Sequence, residues 1–182
     1  FYNRAMRAAK NGGYGTITVR EAFEKSSNVA ISKLVDRYFG SSPSKFMAYI
    51  EKAGLNEPFD FQLVGEGKPF FKKPGTKTWY GTSLPWISIG YESKLNPLHT
   101  LALYNAVANN GKMVKPYIIK GISKGNQIQE SFQPEVIRNQ IASEKTIKQL
   151  QELLEGVVSN GTAKNISNAD YKIEGKTGTA QK

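Results

Sequence analysis

Apolar residues recur every three or four positions in five stretches of the chain, which is the spacing of amphipathic helices. The first helix is predicted to begin at Thr18, whose hydroxyl can cap it while Glu21 closes a capping box, and to end near Lys25. Asn28 is expected to cap the second helix, and Gly40 to end it. The inner face of this second helix is expected to carry four apolar side chains: Ile31, Leu34, Val35 and Tyr38.

Other helices and several strands complete the pattern. Three further helices are predicted, over residues 42–54, 96–109 and 143–159. Residues 55–95 are rich in Gly, Pro and aromatic residues without a sustained period, which predicts long loops with short strands. Two strands joined by a hairpin turn are predicted within 117–132, and a last strand over Tyr171–Gln181. Helices and strands are thus expected in one chain.

Composition narrows the chemistry that this chain can support. With 182 residues, of which 39% are hydrophobic and 22% charged, it has the make-up of one globular domain. It contains no Cys, which excludes disulfides, thiol nucleophiles and thiolate metal sites. The single histidine, His99, is expected to be a packing or surface residue. A net charge of +10 is spread along the chain and favours a solvated basic surface over a nucleic-acid site.

Two short motifs carry candidate chemistry. Ser26-Ser27-Asn28 occupies the predicted turn between the first two helices, and Lys176-Thr177-Gly178-Thr179 lies on the predicted last strand. Each motif alone is a weak signal, because a serine-rich turn before a helix is usually only a cap. Together, in this order and about 150 residues apart, they are specific.

The pair resembles two of the three motifs of the serine acyl-transferases that include penicillin-binding proteins and class A β-lactamases, namely Ser-x-x-Lys, Ser-x-Asn and Lys-Thr-Gly. The flanking residues are similar to class B penicillin-binding proteins, at 18–30, at Ser88-Ile89-Gly90-Tyr91 with Asn96-Pro97-Leu98, and at 175–181. The resemblance covers nearly the whole chain, from about Gly15 onward. The Ser-Ser-Asn motif looks more like division-site transpeptidases than their elongation-type relatives.

The resemblance implies an α+β fold of the β-lactamase/transpeptidase type, with a helical part packed against an antiparallel sheet, and makes 1–182 an incomplete transpeptidase domain. The implied enzyme is a peptidoglycan D,D-transpeptidase that cross-links stem peptides ending in D-Ala-D-Ala through a serine acyl-enzyme and binds penicillin. It needs no metal or organic cofactor. The implied partners are stem peptides, β-lactam antibiotics and divisome membrane proteins, not nucleic acid. The implied location is the bacterial cytoplasmic membrane, with this domain on the periplasmic side.

The resemblance also assigns roles to site residues. The implied catalytic residues are Ser26, Asn28 and Lys176, and the implied substrate-binding residues are Thr177, Gly178 and Thr179. The first serine would bridge a proton-carrying lysine to the leaving nitrogen, the asparagine would hold a substrate carbonyl, and the lysine would supply positive charge. The two threonine hydroxyls would bind the substrate carboxylate, with a backbone N–H of the second in the oxyanion hole. The small glycine would let the substrate lie along the strand edge.

One departure from the family pattern is important. No serine precedes Ser26, so the Ser-x-x-Lys motif of the nucleophile is absent from its usual place. The one match, Ser42-Pro43-Ser44-Lys45, follows the second motif and is interpreted as a helix start. The nucleophile and the C-terminal strands are therefore expected outside this chain, which alone should not be acylated by penicillin. Three alternatives stay open: an inactive peptidoglycan- or partner-binding module of the same fold, a serine β-lactamase or penicillin sensor, and a basic nucleic-acid-binding domain.

Overall fold

The computed structural model describes residues 5–8, 10–168 and 170–178, and the chain forms two compact units. Within the described residues the α-helices are α1 (Val19–Glu24), α2 (Asn28–Phe39), α3 (Pro43–Lys52), α4 (Ser83–Ile87), α5 (Pro97–Ala108) and α6 (Glu144–Ser159). The strands are β1 (Phe70–Phe71), β2 (Ser93–Lys94), β3 (Met113–Val114), β4 (Gly121–Lys124), β5 (Gln127–Ser131) and β6 (Val136–Arg138). The first unit comprises the described residues of Phe1–Phe46, Lys72–Glu92 and Lys148–Lys182, and the second those of Met47–Phe71 and Ser93–Ile147.

The first unit begins with the capping box that the sequence predicts. The Glu21 backbone N–H donates to the Thr18 hydroxyl oxygen at 3.2 Å, and the Thr18 backbone N–H donates to the Glu21 carboxylate at 2.9 Å. These two bonds satisfy amide groups that the first turn of α1 leaves without helical partners. They fix where α1 begins, and the last residue of the helix is Glu24, directly before Lys25.

Two sets of contacts hold the first unit together. The fully buried Ser32 of α2 donates its hydroxyl to the Pro85 carbonyl oxygen at 3.1 Å, which joins α2 to α4. The end of α6 buries Val157 and Val158, and Ile173 packs against them. This packing holds the residues just before Lys176 against the first unit, although they follow α6 in a loop.

The second unit contains three two-stranded antiparallel sheets, which pair β1 with β2, β3 with β6, and β4 with β5. Helix α5 packs on β3, where Met113 is fully buried. The β4–β5 hairpin turns at Gly125, whose φ of +59° lies in the left-handed region that glycine adopts readily. This hairpin confirms the one predicted within residues 117–132.

His99 is a buried packing residue of the second unit, with no exposed surface. Its Nε2 lies 2.8 Å from the Glu57 carbonyl oxygen and its Nδ1 lies 2.8 Å from Asn96 Oδ1. The ring also stacks on Phe59 with the centroids 4.4 Å apart. Since a carbonyl oxygen can only accept, Nε2 carries a proton. Both ring nitrogens are occupied by structural contacts, so this histidine does not act as a free base.

Several predictions about local structure were wrong. Helix α2 is capped by Ser27, whose hydroxyl accepts the Ala30 N–H at 3.4 Å, and Asn28 is the first helical residue. Tyr38 is 67% exposed, because the face of α2 that packs on α4 runs through Ser32. The short helix α4 lies inside the stretch predicted to be loops with short strands.

The predicted last strand is also absent from the described residues. Tyr171 to Gly178 have no strand assignment, and the rest of the predicted strand lies outside the described residues. Gly175 donates its N–H to the Leu154 carbonyl oxygen of α6 at 3.3 Å. A strand requires a ladder with a neighbouring strand, and in the described part of the chain this segment borders a helix and a turn.

Among the described residues, no helix combines the length and the apolar character needed to cross a membrane.

Candidate functional site

The turn between α1 and α2 holds Ser26 in a strained conformation. The Ser26 N–H donates to the Phe23 carbonyl oxygen at 3.1 Å, and the Ser27 N–H donates to the Ala22 carbonyl oxygen at 2.8 Å. This pair of bonds is the Schellman motif, in which the residue after the cap adopts left-handed φ and is usually glycine. Here that residue is Ser26, with φ of +50°. A serine in a glycine position costs stability, which is typical of functional sites.

Lys176 and Thr177 meet this serine across the first unit. Lys176 Nζ donates a short hydrogen bond to Ser26 Oγ, although the residues lie 150 positions apart. Lys176 also donates to the Thr177 carbonyl oxygen at 3.1 Å, and Thr177 Oγ1 lies 3.2 Å from Ser26 Oγ. The two sequence motifs therefore form one polar cluster.

The environment of Lys176 changes its acid–base behaviour. Partial burial lowers the pKa of the Lys176 ammonium below the ordinary lysine value, because desolvation disfavours the charged form. Its Nζ lies 5.9 Å from the centre of the Phe23 ring, which covers one side of the amine. A lysine with a lowered pKa, hydrogen-bonded to a serine hydroxyl, can take part in proton transfer more readily than an exposed one.

Thr162 is a member of the cluster that the sequence analysis did not identify. Its Oγ1 lies 2.7 Å from Thr177 Oγ1 and 3.4 Å from Ser26 Oγ. Its backbone N–H donates to the Glu24 carbonyl oxygen at 3.1 Å, so the turn after α6 is tied to the last residue of α1. The only sequence signal was the helix-stop run that ends in Gly161, which predicts a turn but not its neighbour in space.

Glycine is required where this turn meets α1. A Cβ on Gly161 would collide with the backbone carbonyl of Glu24, and a Cβ on Gly156 would collide with the Glu24 carboxylate. Glu24 itself is only 6% exposed. Because the Gly161 contact is with backbone atoms, which cannot move independently, the glycine at this position is what allows the turn after α6 to lie close to α1.

The remaining predicted site residues are placed differently. Asn28 is exposed on the first turn of α2, and its side chain makes no hydrogen bond among the described residues. Gly178 is exposed, and a Cβ added there would meet nothing within 4 Å. Thr179 lies outside the described residues. Ser42 directly precedes α3 and accepts the Lys45 N–H at 3.0 Å on its carbonyl oxygen, as a helix start does.

The cluster suits an anionic ligand. It presents one ammonium group and three hydroxyls, of Ser26, Thr162 and Thr177, at the surface of the first unit. Hydroxyls and an ammonium donate hydrogen bonds, and an oxyanion accepts them. In the part of the chain that the structure describes, no group of three or more His, Cys, Asp or Glu side chains could hold a metal ion.

Comparison with known proteins identifies close relatives. A family model described as penicillin binding protein transpeptidase domain matches residues 2–182. The penicillin-binding protein PbpB of Mycolicibacterium smegmatis is 33% identical over 184 residues, which cover 97% of this chain and 27% of that protein. The chain therefore spans about a quarter of the length of this relative.

Two solved structures share the fold. The D,D-transpeptidase domain of a peptidoglycan glycosyltransferase from Eggerthella lenta has a TM-score of 0.84 and 26% identity, covering 99% of this chain and 46% of that one. Penicillin-binding protein 3 of Mycobacterium tuberculosis, complexed with aztreonam, has a TM-score of 0.75 and 29% identity, covering 91% and 37%. The predicted α+β fold of the transpeptidase type is confirmed.

Proposed function

Because this chain belongs to the penicillin-binding protein transpeptidase family, we propose that it is part of a peptidoglycan D,D-transpeptidase acting at the division septum. The enzyme cross-links stem peptides ending in D-Ala-D-Ala through a serine acyl-enzyme, and it binds β-lactams. Aztreonam bound to the related Mycobacterium tuberculosis protein supports the β-lactam part of this proposal. The septal role rests on the Ser-Ser-Asn motif, which is similar to that of division-site relatives.

In the proposed reaction, a serine attacks the penultimate D-alanine carbonyl and the leaving D-alanine nitrogen takes up a proton. The lysine of the Ser-x-x-Lys motif takes the proton of the attacking serine, and Ser26 passes it to the leaving nitrogen, because a hydroxyl can accept one hydrogen bond and donate another. Lys176 supplies positive charge that attracts the substrate carboxylate, and the hydroxyls of Thr177 and Thr179 bind it. Asn28 offers its free amide to a substrate carbonyl, which its exposed position on α2 supports.

The nucleophile is proposed to lie in a part of the longer protein outside residues 1–182, on a Ser-x-x-Lys motif, as are further strands of the sheet. No serine precedes Ser26, and the single Ser-x-x-Lys match starts a helix at Ser42. The coverage of only 27% of PbpB is compatible with a longer protein. The isolated chain is accordingly proposed to be inactive toward penicillin.

The contact between Lys176 Nζ and Ser26 Oγ is the observation that carries this function. The experiment labels two polypeptides with a fluorescent penicillin: these 182 residues alone and the full product of the same gene. The full product should be labelled stoichiometrically and the isolated chain not at all. A full product that takes no label contradicts the enzyme proposal. A labelled isolated chain places the nucleophile within it, and loss of that label in Ser42→Ala would locate it.

A second candidate is a catalytically inactive module of the same fold that holds peptidoglycan or a division partner. The cluster of Lys176 with three hydroxyls favours it, because such a cluster can hold an anionic ligand without forming a covalent bond. It predicts that the full product binds stem peptides without acylation, whereas the enzyme forms the covalent adduct.

The main proposal also includes anchoring in the cytoplasmic membrane, a periplasmic location and divisome partners. Membrane fractionation of cells that express the full gene tests the first two.

A further inference from the structure

Backbone hydrogen bonds hold Thr162 at the cluster, so its hydroxyl is not needed to fix the turn. The Thr162 N–H donates to the Glu24 carbonyl oxygen at 3.1 Å, and the neighbouring N–H groups of Gly161 and Ala163 both donate to the Val157 carbonyl oxygen at 3.1 Å. None of these bonds involves the threonine hydroxyl. That hydroxyl is on the exposed side of the turn and contacts only the hydroxyls of Thr177 and Ser26 among the described residues.

The distances rank the contacts among the three hydroxyls. The 2.7 Å separation between Thr162 Oγ1 and Thr177 Oγ1 is that of a well-formed O–H···O bond. The contacts of Ser26 Oγ with Thr177 at 3.2 Å and with Thr162 at 3.4 Å are longer than that class of bond usually is. One proton therefore lies between the two threonines, and Ser26 receives its hydrogen bond from Lys176 instead.

The direction of the bond between the threonines decides what Thr177 can do. Each hydroxyl has one proton to donate and two lone pairs to accept with. If Thr177 donates to Thr162, its proton is used, and it can offer a carboxylate only lone pairs. If Thr162 donates to Thr177, the proton of Thr177 is free to point outward toward an anionic oxygen. An ionised carboxylate accepts only, so it selects the second arrangement.

We propose that Thr162 is a positioning residue that donates its hydroxyl proton to Thr177, so that Thr177 can donate its own proton to the terminal carboxylate of a D-Ala-D-Ala ligand. This inference rests on the proposed function for the identity of the ligand. Without the Thr162 hydroxyl, the nearest acceptor for the Thr177 proton is Ser26 Oγ at 3.2 Å. The proton would then turn inward, and recognition of the carboxylate would weaken.

The test measures binding of N-acetyl-D-Ala-D-Ala and of its C-terminal amide to the 182-residue chain by NMR titration. The wild-type chain should prefer the acid over the amide. In Thr162→Val, which keeps the shape and removes the hydroxyl, that preference should fall about threefold to tenfold, the effect of one net hydrogen bond. Thr162→Ser should restore it, and Thr100→Val, at an exposed position of α5, should leave it unchanged.

A double-mutant cycle separates positioning from damage to the fold. In a Thr177→Val background, Thr162→Val should change the preference for the acid no further, because its effect passes through the Thr177 hydroxyl. An unchanged preference in Thr162→Val, an equal loss for acid and amide, or a wild-type chain without preference for the acid overturns the proposal. Failure of the full gene product to react with fluorescent penicillin would instead overturn the enzyme function, and it leaves this readout intact.

Discussion

Because the backbone of Ser26 is left-handed, we expect Ser26→Gly to be more stable than Ser26→Ala, which is the reverse of the order within a helix. Ser26→Ala and Ser26→Gly both remove the hydroxyl that contacts Lys176, Thr162 and Thr177. Both therefore lose the same hydrogen bonds. They differ only in the Cβ, which is unfavourable at the φ of +50° that the Schellman turn imposes. The difference between the two variants thus measures the backbone strain at this residue.

The magnitude follows from two opposing contributions. Left-handed φ costs a residue with a Cβ roughly 1–2 kcal/mol. Glycine gains back freedom in the unfolded chain, which lowers the stability of the folded state by about 0.4–1 kcal/mol. Ser26→Gly should therefore be more stable than Ser26→Ala by about 1 kcal/mol. For a chain of 182 residues this corresponds to roughly 2–4 °C in Tm.

Urea and thermal unfolding followed by circular dichroism measure this difference. The matched control is Gln149, which is exposed inside α6, where the order of the Gly and Ala variants should reverse because glycine is less favourable than alanine within a helix by roughly 0.5–1 kcal/mol. If Ser26→Ala is at least as stable as Ser26→Gly, the strain is absent and the reasoning fails. In the full gene product both Ser26 variants should lose penicillin acylation, so the more stable variant would still be inactive.

Four other changes have expected outcomes. Gly161→Ala should lower the unfolding free energy by about 1–3 kcal/mol in a urea titration, because its Cβ meets the Glu24 carbonyl, which cannot move independently. Gly178→Ala should leave Tm unchanged, since its Cβ enters open space, yet weaken D-Ala-D-Ala binding in the NMR titration; equal binding would argue against a ligand over this residue. His99→Phe should lower the unfolding free energy by about 1–3 kcal/mol, because the Glu57 carbonyl oxygen loses its donor while Asn96 Oδ1 keeps the backbone N–H of residue 99, and a neutral result would contradict the structural role. Burial lowers the pKa of Lys176, so between that lowered value and 10.5 the unfolded chain binds more protons than the folded chain. The unfolding free energy should therefore rise with pH across this window, and Lys176→Met should flatten the rise.

The location of the helices could be predicted from the sequence because capping is a local interaction. The Thr18–Glu21 capping box and the Asn96-Pro97 start of α5 depend on residues within one turn of each other, and both lie where the pattern places them. The order and spacing of the two motifs also predicted that they belong to one site, and in the structure Lys176 contacts Ser26. Asn28 was taken for a cap because adjacent Ser27 and Asn28 are both good caps, and only the path of the chain selects one.

Only the tertiary structure decided the parts of the site that come from distant segments. Thr162 contacts the hydroxyls of Ser26 and Thr177, which lie 136 and 15 positions away in the sequence. No local sequence pattern predicts that the turn after α6 meets the end of α1. The positive φ of Ser26 likewise follows from the bonds that close the turn, since serine itself does not favour that conformation. The segment from Tyr171 to Gly178 reads as a strand by composition, but a strand exists only through its partner. Local sequence determines turns and caps, because they are formed by neighbours along the chain. Proximity between remote hydroxyls depends on packing, which the whole chain decides together.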